Sequence, residues 1–220
     1  KDTIQNIHAM KMDCVIMRHP SPGSCIQLSQ YIDSVIINAG DGTHEHPTQA
    51  LLDMMSLQET FGIIKGLKIG IIGDISHSRV ALSNIFGLIK MGANVTLCGP
   101  PHLIPRYIEE TGASVNNNID EVIEWADALN ILRIQKERMG IGIIPSIREY
   151  RNIYGITRER LNRHKKEVVI MHPGPINRGV EIDSSIADGE QAIILNQVLN
   201  GVAMRMSILY NLLGPDEEVS

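Results

Sequence analysis

Short runs rich in β-branched residues alternate with helical stretches along this chain, and no other feature narrows its fold so far. Strand-like runs stand at 13–17 (DCVIM), 34–38 (SVIIN), 68–72 (KIGII), 94–98 (NVTLC), 114–116, 128–133 and 168–171. The stretches between them predict helices over 24–31, 47 to about 60, 80–91, 102–111, 119–125, 157–165 and about 191–213, the last ending at Gly214-Pro215. Pro47 suits a first helical position, because its missing N–H has no helical partner there. The segment 139–151, with its Gly, Pro and Ser, reads as a long loop. Alternation of this kind builds parallel sheets covered by helices, so the expected class is α/β. A Gly-rich turn at 62–66 precedes a fresh βαβ unit and marks a domain start.

In open α/β sheets ligands collect beyond the carboxyl ends of the strands. Polar residues stand at several of those ends: Arg18-His19-Pro20, 41–49, 74–79, Leu132-Arg133-Ile134-Gln135 and 172–178. Gathered in one cleft, they place Arg18, Arg79 and Arg133 near His46, Gln49 and Gln135. Three guanidinium groups suit a substrate with several carboxylates or phosphates, because each planar fork grips two oxygens. Each residue alone has a plainer reading. A lone Arg at a strand end is usually solvated, His172 can be a satisfied structural histidine, and Asp74 can bond only its own loop. The coincidence at several strand ends favours a site.

Composition removes other classes. Hydrophobic residues make up 43% of the 220 and charged residues 20%, with net charge −5 and pI near 5.9. A nucleic-acid partner held by bulk positive charge is not expected. No run is apolar enough for a membrane span. The three cysteines, Cys14, Cys25 and Cys98, are odd in number and form no Cys-x-x-Cys pair, which points to a reducing cytoplasm. Cys14 and Cys98 sit in apolar runs and are expected in the core. His44 and His46 are the one conceivable metal pair, and the reading is that no metal and no cofactor is used. A dinucleotide-binding half at 68–99 fails its fingerprint: the loop reads Gly73-Asp74-Ile75-Ser76-His77-Ser78, without Gly-x-Gly-x-x-Gly.

The run Gly40-Asp41-Gly42-Thr43-His44-Glu45-His46-Pro47-Thr48-Gln49-Ala50-Leu51-Leu52-Asp53 resembles the signature of the aspartate transcarbamoylase (aspartate carbamoyltransferase) family. Four further segments agree in order and spacing: Met17-Arg18-His19-Pro20, Gly73-Asp74-Ile75-Ser76-His77-Ser78-Arg79, Leu132-Arg133-Ile134-Gln135, and His172-Pro173-Gly174-Pro175-Ile176-Asn177-Arg178-Gly179. Ornithine transcarbamoylases typically carry Cys-Leu-Pro after the late His, where this chain has Pro-Gly-Pro. The resemblance implies two parallel-sheet α/β domains: 1–60 as the end of a carbamoyl-phosphate domain with its connecting helix, 61–189 as an aspartate domain, and 190–220 as a helix returning to the first. It implies that Arg18, His46, Gln49, Pro173 and Gly174 contact carbamoyl phosphate, that Arg79, Arg133 and Gln135 hold aspartate, and that Arg18 and His46 serve catalysis. A trimer with shared sites follows from it too, as does a possible regulatory or dihydroorotase partner. The family's phosphate loop, Ser-x-Arg-Thr-Arg, belongs upstream of residue 1. The first domain is therefore expected to be incomplete, and the chain alone is expected to bind phosphate poorly and to be inactive. A catalytically dead scaffold, or transfer to another amine, stands as the alternative.

Overall fold

Two parallel sheets organise the chain. The computed structural model describes residues 2–134, 146–164 and 167–214. After α1 (Asp2–Ala9), strand β1 (Cys14–His19) pairs in parallel with β2 (Val35–Asp41), and α2 (Ser24–Ser29) crosses between them. Helix α3 (Pro47–Phe61) leads into the second sheet, built from β3 (Lys68–Ile72), β4 (Asn94–Cys98), β5 (Ser114–Val115), β6 (Ala128–Ile131) and β7 (Val169–Met171) in the order β5-β4-β3-β6-β7, all parallel. Helices α4 (Arg79–Lys90), α5 (Ile119–Trp125), α6 (Ile147–Tyr154), α7 (Arg158–Arg163), α8 (Ser184–Ala187) and the long α9 (Ile194–Leu213) complete the described elements. This is the expected α/β class.

The five-stranded sheet is buried on both faces. Ile69, Ile71, Ile72, Leu97, Leu129 and Ile131 are fully enclosed, so the strands read as continuous apolar runs rather than alternating ones. Two apolar layers result. One joins Ile69 and Ile71 to Ile85 and Leu88 of α4, and the other joins Ile72 and Leu129 to Ile123, Tyr150 and Tyr154.

Chain order within this sheet creates the site. The strand sequence runs outward from β3 to β4 and β5 on one side and to β6 and β7 on the other. The loops after β3 and β6 therefore leave in opposite directions, the switch-point arrangement beside which open α/β sheets bind their ligands. Arg79 opens α4 after the β3 loop, and Arg133 lies two residues beyond β6.

Several expected elements need correction. The predicted helix at 102–111 is two short 3₁₀ turns, Pro101–Leu103 and Ile108–Thr111. Pro105 removes an N–H between them, and Tyr107 adopts a left-handed φ of 62°. The predicted loop at 139–151 gives way from residue 147 to α6, whose N-cap Ser146 accepts from the Glu149 N–H. Cys14 is only half-buried, whereas Cys25 and Cys98 are buried, and all three are free thiols. Among the described residues no helix is long and apolar enough to cross a membrane.

Helix α9 packs along α3 through polar contacts. Asn200 Nδ2 donates to Ser56 Oγ at 3.0 Å and to Glu59 Oε2 at 2.6 Å. Gly201 is buried in the same seam, where an added Cβ would meet Leu52 at 3.3 Å.

Candidate active site

His46 caps the N-terminus of α3 and stands where the two sheets meet. Its N–H donates to Ser83 Oγ of α4 at 2.9 Å, which fastens the cap to the second sheet's layer. The Thr48 hydroxyl lies 3.5 Å from its Nδ1. A hydroxyl donated there leaves Nε2 as the protonated, donating nitrogen. Burial holds the His46 pKa down, and the charges of Arg18, Arg205 and Arg79 add to it, taking it from 6.5 to about 4. The ring is therefore neutral at physiological pH. It is a hydrogen-bond donor in a positive field rather than a proton carrier.

Three elements supply that field. Arg18 comes from β1, Arg79 from α4 and Arg205 from α9, and all three act on one imidazole. Arg18 is exposed and also borders a groove of about 540 Å³ beside α1 and α2. Arg79 is only 6% exposed and lies across the end of β2, with Nη1 donating to the Gly40 carbonyl at 2.7 Å. Gly40 makes this possible: at φ 117° it has no Cβ, and one added there would sit 2.7 Å from Arg79 Nη1. Gln49, in the first turn of α3, is 8% exposed, with Nε2 donating to Asp53 Oδ1 at 3.0 Å. Its Oε1 accepts no hydrogen bond among the described residues.

The second group stands at the switch point. Leu132 N–H donates to the Ile72 carbonyl at 2.8 Å, which carries the β6 end alongside β3, with Arg133 half-buried one residue further on. Arg133 is not among the charges acting on His46. Asn177 Nδ2 donates to the Ile134 carbonyl at 3.0 Å and ties the 172–178 loop to this strand end. In that loop the carbonyls of Pro173 and Gly174 accept no hydrogen bond among the described residues. Gln135 lies outside the described residues.

Other polar residues are scaffolding. Asp41 Oδ2 accepts from the Gly23 N–H at 2.7 Å and Oδ1 from the Glu45 N–H at 3.1 Å. Ligand atoms of Asp41, His44 and Glu45 lie within 4.8 Å of one another, so His44 groups with these carboxylates. Asp74 accepts from the His77 N–H at 3.0 Å and lies 2.9 Å from its Nδ1, a self-contained loop. His172 is fully buried between the Gly174 N–H and Glu181. Cys98 is pushed up to about 12 by burial and is inert.

Two contributors escaped the sequence reading. Arg205 is the only charged residue in α9, and a lone cation in an apolar helix was the available signal. Asp53 is buried and surrounded by amides. Its place four residues after Gln49 puts both on one helix face.

Residues 65–212 match the family described as aspartate/ornithine carbamoyltransferase, Asp/Orn binding domain, and residues 1–59 match its carbamoyl-P binding domain. The chain belongs to the aspartate/ornithine carbamoyltransferase family. The match over 1–59 does not bear out the expectation that the first domain is incomplete. Among carbamoyltransferases, the aspartate carbamoyltransferase catalytic subunit of Christiangramia forsetii is 57% identical over 95% of this chain and 67% of its own length. That of Gemmatimonas aurantiaca is 54% identical over 100% of this chain and 69% of its own. The aspartate transcarbamoylase of Trypanosoma cruzi, solved with carbamoyl phosphate, superposes with a TM-score of 0.84 at 29% identity, covering 95% of this chain and 68% of that one. The same enzyme solved with N-(phosphonacetyl)-L-aspartic acid gives 0.83 at 30%, over the same shares of the two chains.

Proposed function

We propose that the chain transfers the carbamoyl group of carbamoyl phosphate to the amine of L-aspartate, giving N-carbamoyl-L-aspartate and phosphate for pyrimidine synthesis. The observation that carries this reading is a buried, neutral His46 at the start of α3 in the combined field of Arg18 and Arg79. Relatives named for this activity, more than half identical across nearly the whole chain, support it.

The neutral aspartate amine attacks the carbamoyl carbon, and the C=O oxygen gains negative charge as a tetrahedral intermediate forms. His46 Nε2–H and the Arg18 guanidinium donate to that oxygen. Donors that strengthen as charge develops act on the transition state, and losing one costs about 3–4 kcal/mol. A pKa near 4 keeps the imidazole from acting as base, so the departing phosphate takes the amine's proton. Gln49 Oε1 and the carbonyls of Pro173 and Gly174 accept from the carbamoyl and attacking nitrogens. Arg79 and Arg133, with Gln135, hold the two carboxylates and aim the amine. An ornithine side chain, carrying an amine where aspartate has a carboxylate, leaves one of these arginines unmatched.

In this reading 1–60 is the carbamoyl-phosphate domain, 61–189 the aspartate domain and 190–220 the returning helix. The free thiols support a cytoplasmic setting. A homotrimer with shared sites, with or without a regulatory or dihydroorotase partner, rests on the family resemblance. The test is a product assay on the complete enzyme with carbamoyl phosphate and either aspartate or ornithine. Carbamoyl-aspartate formation with negligible citrulline is expected; the reverse preference, or neither product, rejects the reading.

A further inference from the structure

The geometry points to Asp53 as a positioning residue that sets the amide polarity of Gln49 and, through Gln197, anchors the 172–178 loop, so that one buried carboxylate aligns acceptors from two parts of the substrate cleft. This rests on the function proposed above.

Asp53 is 0% exposed and receives four amide N–H groups from four elements. Oδ1 accepts from Gln49 Nε2 of α3 at 3.0 Å and from Gln197 Nε2 of α9 at 2.7 Å. Oδ2 accepts from Asn84 Nδ2 of α4 at 2.8 Å and from Asn130 Nδ2 of β6 at 3.4 Å. Burial raises its pKa, and the four amides oppose that by hydrogen-bonding the charged form. Donors on both oxygens favour the carboxylate, because a protonated acid would turn an O–H of its own toward them.

An amide is asymmetric, so holding one end fixes the other. Gln49 gives Nε2 to Asp53 and therefore turns Oε1 away from it as an acceptor. Gln197 does the same: its Oε1 accepts the His172 N–H at 2.9 Å. The chain continues, because His172 Nδ1 accepts from the Gly174 N–H at 2.8 Å and so is unprotonated. Nε2–H then faces Glu181 Oε1 at 3.3 Å, and that same oxygen accepts the Asn177 N–H at 2.6 Å. One unbroken path runs from Gln49 through Asp53, Gln197 and His172 to the Gly174 N–H, whose peptide unit carries the Pro173 carbonyl. A carbamoyl NH₂ group, which only donates, needs acceptors on this line. A Gln49 amide turned end for end would present a donor to it.

The test is Asp53→Ala in the complete enzyme, with steady-state kinetics normalised to folded protein. A merely structural role lowers thermal stability and leaves the KM of the folded fraction alone. The positioning role raises KM for carbamoyl phosphate by at least about tenfold, because a freed amide samples the wrong orientation. A KM within about twofold of the parent overturns the assignment, and anything between is too small for an amide left free and overturns it as well. If the variant does not fold, Gln197→Met carries the test, since it cuts the route to His172 and leaves Gln49 held. It is expected to lower kcat at least about threefold, and an unchanged kcat overturns the assignment. Parent turnover is the control: with none, function and assignment fall together; with turnover and an unmoved KM, the assignment falls alone.

Discussion

Arg79 and His46 show how little of a residue's role its type reveals. Arg79 was legible as a candidate anion ligand from its place after a strand. Its lie across β2, on the Gly40 carbonyl, depends on a glycine nearly forty positions earlier, which no local pattern announces. His46 was legible from the His-Pro-x-Gln run, but its charge state was not, because that is set by burial and by arginines from three other elements. The consequence is measurable. A histidine whose folded pKa is depressed binds fewer protons than the unfolded chain between the two values. Its contribution to stability is therefore present above 6.5 and lost as pH falls through about 4. NMR titration of the ring is expected to give a midpoint near 4 in the folded enzyme. A midpoint near 6.5 would contradict both the burial of the ring and the arginine field around it.

At the scale of elements, β3, β4 and α5 fall on their expected spans, because buried parallel strands and a well-capped helix declare themselves locally. The false helix at 102–111 came from weighting composition above Pro105. The missed α6 carried a readable start, Ser146 with Glu149 three residues on, which the Gly- and Pro-containing segment before it obscured. Packing of the strand ends was not legible at all. Gly99 passes so close to the Gly73 carbonyl that a Cβ cannot be accommodated there. Both glycines sit at the carboxyl edge of the sheet, just after β3 and β4. Gly99→Ala is expected to destabilise by about 2–3 kcal/mol, as overpacking against rigid backbone does. Denaturant unfolding measures it, and a change below about 0.5 kcal/mol would contradict the close approach.

Across the whole molecule, the α3–α9 seam joins the two sheets, and the site depends on it. Gln197 and Arg205 reach the site region from the end of the chain, more than 140 positions beyond Gln49. Strand ends, the late loop and the family were readable because each is written in a contiguous run. The polar seam was not, because Asp53, Asn84, Asn130 and Gln197 acquire meaning only when four elements close around one carboxylate. The central claim is that a single cleft takes the carbamoyl group on one side and two carboxylates on the other. A crystal structure of the complete enzyme with N-(phosphonacetyl)-L-aspartic acid tests it most directly. The ligand's amide oxygen is expected on Arg18 and His46, with its carboxylates on Arg79 and Arg133. A bound ligand that leaves either pair untouched would contradict it.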